Sequence, residues 1–232
     1  VDALEIYGNI SQNYRSVTFS DISIINPSFS ISPSISDEKG FTTDLGLRGI
    51  FKNIVSYDVG VFGLFYKNRI GFIQKAFPDG SVKTVRGNVG DAIIYGLESL
   101  IDFNLNKLFI KDNDYSFNYF INTSIIDSKY TVSEENGVEG KKVEFVPNLN
   151  FKTGLKFGYK NFLSNFQYTY LSQQFTDATN AVEGNLSGVI GIIPSYDVLD
   201  ISFSYTYKKF KLEGGVNNVL DNYYFTRRAT GY

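Results

Sequence analysis

The sequence of 232 residues contains no cysteine, no histidine, no methionine and no tryptophan. Without cysteine there is no disulfide framework and no thiol chemistry. Without histidine there is no imidazole to sit on a haem iron. With neither residue, and with no Gly-x-Ser-x-Gly, the chain offers no catalytic constellation. The absence of methionine leads us to expect that an N-terminal part precedes Val1; no signal peptide is visible within the chain. No run of about 18 apolar residues occurs, so a transmembrane helix is not expected. Net charge is −2, which supplies no bulk basic field for nucleic acid.

What the chain does have is aromatic residues: 17 Tyr and 21 Phe, 16% of all residues, a load that favours strands over helices. Alternation with a period of two recurs along it. In "LDISFSYTY", Leu199, Ile201, Phe203, Tyr205 and Tyr207 oppose Asp200, Ser202, Ser204 and Thr206. "YSFNYFINTSI" and "LNFKTGLKFGY" repeat the pattern, and "VSYDVGVFGLFYK" follows it until Phe62 and Leu64 blur it. No segment sustains a period of 3.6. The chain therefore reads as all-β, with about nine strands at roughly 1–15, 38–52, 55–75, 86–105, 115–131, 148–159, 162–176, 196–207 and 210–225. Most run to about ten residues or more, the length a tilted strand needs to cross a bilayer, whereas soluble strands average about five or six.

The connections alternate in length. Lys52-Asn53, Lys160-Asn161 and Lys208-Lys209 are tight, and "KLFIKDND" is somewhat longer. The intervening connections, at about 16–37, 76–85, 132–147 and 177–195, are mostly long, and the shortest of them carries the turn signal "FPDGS". Short turns at one end and long loops at the other predict an antiparallel up-and-down transmembrane β-barrel. The apolar faces would then meet lipid. The polar faces would line a lumen, placing Glu5, Asp44, Arg48, Asp58, Glu98, Asp102, Lys152, Lys156, Asp200 and Glu213 inside. A soluble sandwich would turn the same face to solvent, so alternation alone does not choose; strand length and loop sorting do. Nine is an odd number, and an open edge in lipid leaves backbone groups unpaired. The barrel is expected to be partial, with the strand that returns after "LEGGVNNVLDNYYFTR" absent and Tyr232 an accidental loop end.

That stretch resembles the signature near the C-terminus of TonB-dependent outer-membrane receptors, where a strand runs into an Asn-Leu-Phe-Asp-like turn and then a tyrosine. Here Val219-Leu220-Asp221 stands in the turn, a mild departure. "EIYGNISQNYRSVTFSDI", "ISDEKGFTTDLGLRG" and "VRGNVGDAIIYGLE" are similar to other strands of the family, in family order, and together they cover nearly the whole chain. The phrasing is closest to receptors for ferric citrate and related ferric siderophores. The resemblance implies a barrel of about 22 strands around a plug domain. Residues 1–232 would be a C-terminal part of that barrel, roughly strands 13 to 21, with plug, TonB-contacting box and final strand outside. It implies import of a ferric chelate at the bacterial outer membrane, powered through TonB by way of the absent N-terminal region, with membrane lipid and lipopolysaccharide as further partners. No protein cofactor, resident metal or nucleic acid is expected, and no enzyme activity. Rival readings are a passive porin, a receptor of the same family for carbohydrate or cobalamin, and a soluble β-protein used in adhesion.

A chelated iron needs no protein ligand, but an anionic complex needs cations and hydrogen-bond donors. Side-chain parity places Arg15 on the face of Glu5, Arg86 and Asn88 on the face of Glu98, and Gln173 on the face of Gln167, all inward. Arg227 and Arg228 add charge near the end of the chain, with unreadable parity. These six residues are the candidate ligand contacts, and a solvated rim charge or lipopolysaccharide contact remains open for each arginine. Arg69 shares the parity of Phe65 and is expected to face outward. The acids of "EENGVEG" (Glu134, Glu135, Glu139) read as a solvated loop or a metal site. Asn122-Thr123-Ser124 and Asn185-Leu186-Ser187 match the glycosylation pattern without meaning in a bacterial barrel.

Overall fold

A computed structural model describes residues 3–23, 29–184 and 188–228. The residues near position 25, the Asn185-Leu186-Ser187 pattern and Tyr232 lie outside the described residues. Among the described residues ten strands occur: β1 (Ala3–Arg15), β2 (Phe29–Ile31), β3 (Glu38–Phe51), β4 (Val55–Ala76), β5 (Val82–Asn104), β6 (Tyr115–Val132), β7 (Leu149–Tyr159), β8 (Phe162–Leu171), β9 (Tyr196–Tyr207) and β10 (Phe210–Val216). Nine of them, in the order β1-β3-β4-β5-β6-β7-β8-β9-β10, form one open antiparallel meander. These nine are the strands that alternation predicts.

The register carries the polarity. Glu5 stands opposite Arg48, Arg48 opposite Asp58, and Gly60 opposite Glu98. Asn118 stands opposite Lys156, Lys156 opposite Asn165, and Asn165 opposite Ser202. Directly opposed side chains share a face, so all ten charges named above lie on one side of the sheet. The other side carries exposed apolar residues, among them Ile6, Ile10, Phe41, Leu45, Val61, Phe166 and Leu212. Single exposed apolar residues are ordinary, but a whole face of them calls for an apolar covering.

Phe62 and Leu64 break the alternation because the polar face is not polar along its whole length. Toward the long-loop end they pack with Ala92, Ile94 and Tyr130 against Val138, Val143 and Ala178. The connection 133–148 and the described parts 172–184 and 188–195 of the next one thus fold onto the sheet, and Tyr130, Val138 and Val143 are wholly buried. Burying a side chain of this size contributes about 1.5–3 kcal/mol, which anchors both connections. "EENGVEG" is accordingly more ordered than a solvated loop: Glu135 pairs with Lys75 and Val138 enters the core, while Glu134 and Glu139 stay exposed.

Four features differ from the sequence reading. The segment 76–85 is mostly strand, and only 77–81 turns, closed by Gly80 N–H to Phe77 O (2.9 Å) and Phe77 N–H to Ser81 O (2.8 Å). Gly80 takes φ +80°, which only glycine adopts freely. The seventh strand stops at Leu171 because the chain turns inward to bury Thr176 and Asp177. The last strand stops at Val216, where Asn218 and Asp221 take left-handed φ and the Asn218 side chain bonds the Asn222 backbone twice. The fourth difference is β2, which pairs parallel with β5, Phe29 opposite Thr84 and Ile31 opposite Arg86.

The placement of β2 follows from edge availability. The outer part of β5 is bonded to β4 on one edge, whereas the β5–β6 ladder ends at Asp91 opposite Val132. Beyond Asp91 the second edge of β5 is free, and β2 occupies it. The short turns at the opposite end hold lysine in the left-handed region: Lys52 (φ 50°), Lys160 (φ 48°) and Lys208 (φ 53°). A residue with a Cβ pays on the order of 1 kcal/mol for that conformation.

Candidate ligand site

The candidate site lies at the long-loop end and begins with β1. Arg15, its last residue, stands opposite Glu38, the first residue of β3. Between them Thr18 opens a single helical turn, Phe19–Ile22, with Asp21 at its third position. The Thr18 amide (3.0 Å) and hydroxyl (2.8 Å) both donate to Asp21 Oδ2, a local capping arrangement that a Thr-x-x-Asp spacing permits. The other carboxylate oxygen accepts from two arginines, one six and one 65 residues away in sequence: Arg15 Nη2 and Arg86 Nη2 each lie 2.7 Å from Asp21 Oδ1. The Arg86 guanidinium also lies over the Phe72 ring, 4.5 Å from its centroid.

Asp21 is 2% exposed. Burial alone would raise its pKa. The hydrogen bonds from Arg86, from the Thr18 amide and hydroxyl and from Arg15 outweigh burial and hold it well below the usual carboxylate range. The carboxylate is therefore ionised at neutral pH.

A second charged group adjoins the first. Arg69 Nη1 lies 2.8 Å from Glu144 Oε1, and the Tyr130 hydroxyl donates to Glu144 Oε2 at 2.7 Å. Both charged side chains are largely buried. Arg15, Arg69 and Arg86, together with Glu38 and Glu144, line one hollow of about 250 Å³. Three arginines face three carboxylates there, counting Asp21, so the hollow is close to neutral overall. An entering anion would compete with Asp21 rather than fill an empty positive field.

The sequence-derived candidates separate into three groups. Arg15 and Arg86 converge on Asp21, but for Arg86 counting by twos from Glu98 does not explain it, because the register of β5 shifts around Gly90 and Asp91 and Val85 and Val89 share a core with Ala92 and Ile94. Asn88 is close by but committed: its Nδ2 donates to Ser36 O (2.9 Å) and Asn68 O (2.6 Å), and its Oδ1 accepts from Ser36 N–H (2.7 Å). Gln173 and Arg227 are exposed and do not line the hollow. Arg228 packs elsewhere, donating from Nε to Ile192 O at 2.9 Å with its guanidinium over the Phe225 ring.

Arg69 corrects the outward placement expected from parity. The register shifts between Tyr66 and Arg69, where Asn68 takes a left-handed φ of 54°, so counting by twos from Phe65 fails beyond that bulge. Asn68 was the available signal, since asparagine is the residue most at home in that conformation. Glu144 carries no sequence signal, because Arg69 lies 75 residues away; Asp21 shows only its Thr-x-x-Asp spacing, and its contact with Arg86 spans 65 residues.

Comparison with known proteins adds the family. Among solved structures, the ferric citrate transporter FecA in its unliganded form aligns with a TM-score of 0.74 at 20% identity, covering 100% of this chain and 34% of that one. The copper transporter OprC aligns with a TM-score of 0.69 at 16% identity, covering 96% of this chain and 32% of that one. The ferric yersiniabactin uptake receptor FyuA from Yersinia pestis gives 0.67 at 18% identity, covering 98% of this chain and 31% of that one. At such identities the likeness concerns the fold, and the chain spans about a third of each of these proteins. Residues 1–219 match the family described as TonB dependent receptor-like, beta-barrel, an outer-membrane family of receptors rather than enzymes. The chain belongs to the TonB-dependent receptor β-barrel family.

Proposed function

We propose that the chain forms part of the barrel of an outer-membrane receptor that imports a ferric chelate, ferric citrate or a siderophore, with energy supplied through TonB. In this reading the plug, the TonB-contacting segment and the remaining strands come from sequence beyond this chain. The apolar face meets lipid, and the long-loop end meets lipopolysaccharide and the ligand. The observation that carries the reading is the convergence of Arg15 and Arg86 on one carboxylate oxygen, both at 2.7 Å. Two guanidinium groups already arranged around a carboxylate can accept a carboxylate of the chelate in its place. Gln173 and Arg227 supply exposed donors, while Asn88 and Arg228 hold the surrounding loops.

The test is equilibrium binding of labelled ferric citrate to outer membranes carrying the full-length receptor. Arg86→Ala is expected to weaken binding by roughly 1–3 kcal/mol, the range for a lost charged hydrogen bond. Lys39→Ala, which removes an exposed cation near Arg15, should change little. Unchanged affinity in both Arg15→Ala and Arg86→Ala, at normal receptor levels, would move the site away from these residues. Uptake that persists after TonB is deleted would overturn the energy coupling.

A further inference from the structure

At the end of the sheet opposite the arginines, the four short connections share one composition. They read Phe51-Lys52-Asn53, Leu108-Phe109-Ile110-Lys111, Tyr159-Lys160-Asn161-Phe162 and Tyr207-Lys208-Lys209-Phe210. With Lys107 they bring six lysines to one rim, against two aspartates, Asp112 and Asp114. Hairpins that are neighbours in the meander lie two strand spacings apart, about 10 Å. That is a little more than the Debye length of about 8 Å at physiological salt, so the charges are partly screened from one another and each hairpin meets its own anion.

Three observations separate this rim from ordinary solvated lysines. First, five cations at the other end, Arg15, Arg69, Lys75, Arg86 and Lys142, each pair with a carboxylate, while Lys39, Lys67, Lys129 and Lys141 there stay scattered and exposed. On the short-turn rim only Lys160 does so, with Asp114 at 3.6 Å; among the described residues Lys52, Lys208 and Lys209 form no ion pair. Second, the ammonium groups of Lys52, Lys160 and Lys208 sit 5.2–5.3 Å from the centroid of the aromatic ring that precedes each. Third, these three lysines occupy left-handed positions where glycine or asparagine would cost less. The aromatic residues are themselves exposed, Phe109 and Phe210 most of all, at 73% and 78%.

We propose that this rim is a binding surface for the anionic headgroups of membrane phospholipids in the leaflet that meets the short turns. Ammonium groups donate to the phosphate oxygens, and the rings beside them lie at headgroup depth, where aromatic side chains are favoured because one end is apolar and the other wet. The proposal rests on the membrane reading given above and deepens it.

The test uses the full-length receptor from outer membranes, purified in a mild detergent and titrated with phosphatidylglycerol or phosphatidylcholine, with retained lipid counted by native mass spectrometry. Phosphatidylglycerol is expected to be retained over phosphatidylcholine. Replacing Lys52, Lys160, Lys208 and Lys209 together by Gln should lower that preference at least tenfold. Replacing the same four by Arg should keep it, and replacing Lys39, Lys67, Lys129 and Lys141 by Gln should leave it intact. No preference in the parent, or equal loss in the two Gln sets, overturns the proposal. Alkaline washing is scored separately: a receptor released without detergent overturns the membrane reading and this proposal with it, whereas one that needs detergent yet shows no preference overturns the proposal alone.

Discussion

Asp21 places a short side chain where two long cations meet, and its environment sets a pH expectation with a definite sign. Its folded pKa is depressed, so the stability it contributes is present above its unfolded value, near 3.9, and is lost as pH falls toward the lower folded value. The amides of 17–22 should therefore show flat protection from pH 8 to 5, after correction for intrinsic exchange, and loosen below about pH 4. Asp21→Asn should abolish that acid transition and cost the loop roughly 1–3 kcal/mol at neutral pH, the scale for leaving charged donors without their acceptor. Hydrogen exchange by mass spectrometry reads both effects, and a variant with unchanged protection at pH 7 would show that Thr18 alone holds the turn. At this scale the sequence was legible only where the strand was regular. Arg15 could be placed by counting from Glu5, but Arg69 could not, because the bulge at Asn68 resets the count. Glu144 is chosen by the fold and by no local pattern, whereas Asp21 has a local partner in Thr18, three residues before it.

Among the elements, the β4–β5 hairpin carries the most. It supplies Arg69 and Arg86, accepts β2, and packs Ile73, Val85 and Val89 into the small core. Gly71 permits the closest of these contacts: a Cβ there would lie 2.3 Å from Glu144 Oε1 and 3.0 Å from both the Tyr130 hydroxyl and Val89 Cγ2. Glu144 cannot easily retreat, being bonded to Arg69 and Tyr130. Gly71→Ala should then destabilise the outer hairpin by roughly 1–3 kcal/mol, the usual cost of overpacking, with faster exchange across 70–75 and 84–90. Residues 55–63 should be unaffected; a uniform loss along β4 would mean that the hairpin unfolds as one unit. All nine long strands were readable from their alternation, and the tight lysine turns from their length. β2 was not, since three residues cannot display a period and its pairing is decided by where the β5–β6 ladder ends.

The molecule as a whole is a sheet with two unpaired sides. β1 and β10 each have one ladder partner among the described residues, so each presents a row of free backbone groups that lipid cannot satisfy. The 232-residue chain alone, refolded in detergent, is expected to give no heat-resistant monomer on unheated gels, whereas the full-length receptor should. A closed monomer from the chain alone would overturn the view that other strands complete the wall. The meander has one further consequence, in the order of assembly. Its hairpins join sequence neighbours and can zip progressively, but Phe29 meets Thr84, 55 positions further along the chain, and the edge it needs does not exist until β4, β5 and β6 are in register. Contacts so distant along the chain close late. The segment bearing Asp21 therefore settles late, and Arg15 and Arg86 complete their shared carboxylate contact only after the β4–β6 part of the wall stands.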